Sequence, residues 1–121
     1  MKTYIDSFSV LVPDGERPYL RLIANCLSQV TGIKIYIMSD KKNIAMRYSR
    51  FVHHFSYYPK TSDITKWIAN INTETSKHAI DLILSVFEDG MFNLLKHRNL
   101  LTDVNKLIVL PYRESFLTAK K

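Results

Sequence analysis

The sequence predicts an α/β domain of three layers, with a parallel five-stranded sheet in the order 3-2-1-4-5. Two observations predict it. Short apolar runs alternate with segments of helical spacing along the whole chain, the pattern of parallel strands joined by right-handed helical crossovers. The runs are nearly continuous in apolar character, as in strands covered on both faces.

The first run is Phe8-Ser9-Val10-Leu11-Val12, stopped by the turn residues Pro13-Asp14-Gly15. Tyr19, Leu22, Ile23, Cys26, Leu27 and Val30 then trace one helical face, with Pro18 in the first turn and Gly32 at the left-handed position past the end. Residues 33–38 form the second strand, and residues 39–43 a polar loop. A short helix is expected over 44–49, and a third strand over 55–58, ended by Pro59. Ser62 is the expected cap of the next helix, with Asp63 in its first turn and Ile64, Trp67, Ile68 and Ile71 at helical spacing. Residues 80–86 form the fourth strand. Glu88 and Asp89 open the following helix and Lys96-His97-Arg98 close it, with Met91, Leu94 and Leu95 as its buried face. Residues 107–110 form the fifth strand, closed by Pro111, and Ser115 caps a last helix.

The 121 residues suit a single domain over 1–121. A chain of this length buries roughly two-thirds of its unfolded surface, enough for a core without disulfide or metal. Cys26 is the only cysteine, so no internal disulfide forms; this fits a cytoplasmic location. No apolar run approaches the ~20 residues that span a bilayer, and the first residues lack a secretory signal, so no membrane partner is expected. The formal charge of +6 is scattered along the chain, and no nucleic-acid motif accompanies it.

In an open parallel sheet, ligands bind outside the carboxyl ends of the strands, at the switch point between strands 1 and 4. Segments 13–17, 39–43 and 86–90 meet there. Gly15 stands alone where a dinucleotide fingerprint needs three glycines. It makes a tight turn, or the free N–H groups beside it hold an anion; Glu16 opposes a bare anion and can accept from an amine. Asp40 follows strand 2, as a turn residue or a ribose ligand. Arg47, Ser49 and Arg50 form a cluster for a carboxylate or phosphate, or plain surface charge. Glu88 and Asp89 bind an amine or metal, or serve the helix start. His53, His54, His78 and His97 have no spacing that builds a metal site with Cys26, and His53 and His54 should point to opposite faces of their strand, so no metal is assigned. No catalytic motif is present.

Val10-Leu11-Val12-Pro13-Asp14-Gly15-Glu16 before a helix, then Ser49-Arg50-Phe51-Val52, Tyr57-Tyr58-Pro59, Ile80-Asp81-Leu82-Ile83-Leu84 with Glu88 beyond it, and finally Leu110-Pro111 and Glu114-Ser115-Phe116, follow one another in a familiar order. Together they resemble the N-terminal domain of ATP-grasp proteins of the carbamoyl-phosphate synthase large-subunit-like type. The resemblance implies a Rossmann-like domain that forms one wall of a substrate site. It implies a parent ligase that activates a carboxylate as an acyl phosphate for attack by an amine. ATP and magnesium would be held by lobes absent from this chain, acting in cis, so the chain alone would be inactive. Asp14, Gly15, Glu16, Arg47, Ser49, Arg50 and Glu88 are the expected substrate-binding residues, the partner is a small-molecule substrate, and a homodimer is a further expectation. The alternative is a stand-alone Rossmann-like module that binds a small anionic ligand without catalysis.

Overall fold

The computed structural model describes residues 8–16 and 20–108. Within them the chain is α/β, with a parallel sheet of four strands in the order 3-2-1-4, a Rossmann-like arrangement. The strands are β1 (Phe8–Val12), β2 (Ile33–Ser39), β3 (Val52–Tyr57) and β4 (Leu82–Ile83); the helices are α1 (Leu20–Leu27), α2 (Ile64–Lys77) and α3 (Glu88–Lys96). A 3-10 turn at Ala45–Tyr48 joins β2 to β3.

Period-two alternation divides the strand side chains between two cores. Leu11, Tyr36, Met38 and Ile83 face α2 and α3, packing with Ile68, Ile71 and Leu94. Val12, Ile35 and Ile37 face α1, packing with Leu20 and Ala24. Both sheet faces are covered, which explains why the strands read as unbroken apolar runs.

The fifth strand does not appear as a strand among the described residues. Leu107 makes one parallel bridge to Ile83, and Ile108 N–H donates to the Ile83 carbonyl at 2.9 Å. Leu84 N–H donates to Leu11 on the opposite side. Neighbouring residues of a strand present their polar groups to opposite edges, so Leu107 and Ile108 lie on the open edge of β4. Residues 109–110, with Pro18, Tyr19, Pro111 and Ser115, lie outside the described residues.

Four local expectations need correction. The buried face of α1 is Leu20 and Ala24, with Ile23 and Leu27 half-buried; Leu22 is 61% exposed, and Cys26 and Val30 are exposed as well. Leu20, Ile23, Ala24 and Leu27 offer the same 3-4-7 spacing one step round the helix, and packing on the sheet chose between the two stripes. The cap of α2 is Asp63 rather than Ser62, its carboxylate accepting from Thr65 N–H at 3.0 Å. β3 begins at Val52, earlier than its apolar run, because an edge strand tolerates polar residues such as His53 and His54. A register shift between Ile35 and Tyr36 places a bulge at His53, so both histidine rings approach the Tyr36 ring, at 5.1 and 6.1 Å, instead of pointing to opposite faces.

β4 is also shorter than the run 80–86. Carboxylates replace ladder partners around it: Asp81 accepts from Ser9 N–H at 2.8 Å, and Asp14 accepts from Val86 N–H at 3.0 Å. Gly32 has the positive φ the sequence predicts, 87°, but α1 ends at Leu27, so the glycine serves the turn into β2 and not the helix end. At the end of α2 a different residue has positive φ. Ile80 N–H donates to Thr75 C=O at 3.0 Å, the six-to-one bond of a Schellman motif, and Ala79 has φ 53°. A Cβ in that conformation costs roughly 1–2 kcal/mol. Ala79→Gly is therefore expected to stabilise the domain by about 1 kcal/mol, read from urea unfolding; an unchanged or lower midpoint would refute a strained cap.

Candidate functional site

A cleft of about 290 Å³ opens at the carboxyl ends of the strands, where the sequence places it. Pro13, Asp14 and Glu16 come from the loop after β1, Ser39 and Asp40 from the end of β2, and Tyr58, Lys60 and Thr61 from the chain after β3. Trp67 and Asn70 of α2 and Asp89, Gly90 and Asn93 of α3 complete it. The Trp67 indole N–H donates to the Pro13 carbonyl at 3.3 Å and ties α2 to the β1 loop. Gly15 N–H donates to Met38 C=O at 2.8 Å, which holds that loop against β2.

Asp14 is only 3% exposed. Burial pushes its carboxyl above the ordinary range, opposed by hydrogen bonds from Ser85 and Val86. Ser85 Oγ lies 2.6 Å from Asp14 Oδ2 and 2.9 Å from the Phe87 carbonyl oxygen. A hydroxyl carries one hydrogen and satisfies only one of two acceptors. Ser85 Oγ therefore donates to Asp14, and Met91 N–H serves the Phe87 carbonyl at 3.1 Å. Glu16 is also raised, chiefly by burial, and its Oε1 accepts from Asp40 N–H at 3.2 Å.

The structure brings only part of the expected site together. Asp14 and Glu16 line the cleft. Gly15 and Ser49 line a second groove on the α1 side, with Arg21, Asn25 and Phe51; Glu16 borders both. Arg47 lies on that side too, donating to the Lys42 carbonyl at 2.9 Å and stacking over Phe55 at 5.0 Å. Arg50 is exposed and lies over Phe51 at 5.4 Å. Glu88 opens α3, and its neighbour Asp89 is the one that reaches the cleft. Ser85, Asn70 and Asn93 carry no motif in the sequence, because their roles depend on contacts between distant elements. A separate group, His54, Glu74 and His78, converges on the α2 side of β3.

Among the described residues no helix is long and apolar enough to cross a membrane. No protein-family model, curated protein or solved structure matches the chain.

Proposed function

We propose that this domain binds a small ligand carrying an amine and hydroxyl groups in the cleft at the carboxyl ends of the strands. The observation that carries the proposal is the acidity of the lining: Glu16, Asp40 and Asp89 against Lys60. The cleft is acidic on a chain of net charge +6. An anion meets repulsion there, whereas an ammonium finds carboxylates, and Ser39, Thr61, Asn70 and Asn93 supply partners for hydroxyls. The anion-binding module expected as an alternative would use Arg47 and Arg50, which are outside this cleft.

The ligase reading is a narrower form of the same proposal. As the substrate-side domain of a carboxylate–amine ligase of the carbamoyl-phosphate synthase-like type, the chain would hold the amine partner, and ATP and magnesium would belong to lobes outside it. The acidic lining favours the amine over the carboxylate.

Amide spectra recorded during titration with an amino sugar, a diamine, a dicarboxylate and ATP test the proposal. The amines are expected to shift Glu16, Ser39, Asp40 and Asn93, and Asp40→Asn should weaken them. Shifts confined to Arg47 and Arg50 with the dicarboxylate or ATP would instead establish the anion module.

A further inference from the structure

His54 on β3, Glu74 on α2 and His78 at the C-cap of α2 offer ligand atoms that all lie within 4.8 Å of one another. We propose that they form a binding site for a divalent transition metal of the zinc class, distinct from the acidic cleft.

The argument begins with Glu74. It is 2% exposed, and no lysine or arginine pairs with it among the described residues. Its partners are neutral hydroxyls: Ser56 donates to Oε1 at 2.8 Å and Tyr58 donates to Oε2 at 2.6 Å. A buried carboxylate held this way needs a positive charge nearby. His78 stands one helical turn on, with Nε2 only 3.3 Å from Glu74 Oε1. Yet that nitrogen is buried and has no hydrogen-bond partner among the described residues, so the ring does not aim an N–H at the carboxylate.

The spacing suits a metal better. Ligand atoms about 2.0–2.1 Å from a tetrahedral zinc stand roughly 3.3–3.4 Å apart. The Nε2–Oε1 separation matches that edge. The third ligand comes from the facing strand, where the His54 ring lies 4.5 Å from the His78 ring. Two imidazoles and one carboxylate are a zinc-type donor set, and three protein ligands leave a fourth position for water. Ser56 and Tyr58 already fix the carboxylate, as outer-shell groups do in metal sites. Tyr58 also lines the cleft, so one side chain links the two sites. The bulge at His53 belongs to the same arrangement, since it sets the register that brings His54 to α2.

Titration of the metal-free chain with zinc sulfate, in competition with a chromophoric chelator, tests the site. One zinc per chain is expected, with a rise in Tm. His54→Ala and His78→Ala should each weaken binding at least ten-fold, and Tyr58→Phe by about ten-fold. His53→Ala and Cys26→Ser should leave it unchanged. His54 lies on the edge strand, so its variant is expected to fold, and circular dichroism verifies this. Cobalt substitution adds a direct readout, the intense visible bands of a tetrahedral centre. Absence of stoichiometric uptake by the folded chain would overturn the proposal. So would uptake that survives both histidine variants or is lost with Cys26→Ser.

Discussion

Asp14→Ala is expected to cost about 2–4 kcal/mol of folding stability, because it strips partners from two buried groups, Ser85 Oγ and Val86 N–H. Asp14→Asn should behave in the opposite way at neutral pH. Its amide nitrogen donates to Ser85 and its oxygen accepts from Val86, reproducing the protonated acid without a buried charge. The pH dependence follows from linkage. The folded-state pKa of Asp14 is raised, so the native state holds a proton the unfolded chain has released. The stabilising contribution is complete below the unfolded carboxyl value and is lost as pH rises through the folded one. Glu16, also raised, acts in the same direction. Urea unfolding across this acidic-to-neutral window should show the wild type losing stability with rising pH and Asp14→Asn losing less. Identical slopes in the two proteins would show that Asp14 is ionised when folded.

Gly90→Ala is expected to destabilise the domain by about 1–3 kcal/mol, although alanine in an exposed helix interior gains about 1 kcal/mol over glycine. A Cβ at Gly90 would stand 2.5 Å from Ser85 Oγ and 2.6 Å from Asp14 Oδ2. Neither atom is the free end of a flexible chain, since both belong to buried residues fixed by hydrogen bonds. The substitution must push α3 away from the β1 loop or break the Asp14–Ser85 contact. Denaturation midpoints together with the amide shifts of Val86 and Gly15 give the readout. A stabilised variant with unmoved shifts would show that α3 does not rest on Asp14.

Both variants probe the same contact, and nothing local in the sequence announces it. Asp14 and Ser85 are 71 residues apart; Asp14 looks like an ordinary turn residue after β1, and Ser85 like a member of the fourth strand. The cleft at the carboxyl ends of the strands was legible, because parallel topology sends the loops after β1 and β2 there. The composition of the lining was not. Asp14 and Glu16 were identifiable from their place after β1. Asp89 reaches the cleft in place of Glu88 because α3 turns that face of its first turn inward. Arg47 and Arg50 follow β2 in sequence, but their connection packs on the α1 side, where aromatic faces take up the guanidinium groups. His54, Glu74 and His78 were invisible as a group for a similar reason. The i, i+4 spacing of Glu74 and His78 marks one helix face, but only the bulged edge strand supplies the third member.

The sequence by itself determined the α/β class, the parallel order of the first four strands and the positive φ of Gly32. These follow from apolar periodicity and backbone stereochemistry, which act between near neighbours. The tertiary structure alone decided which stripe of α1 is buried, where β4 loses its ladder, why the Asp14 carboxyl is pushed up by burial, and that a chain of positive net charge carries an acidic cleft. Each of these depends on which distant groups share a low-dielectric space, and packing fixes that.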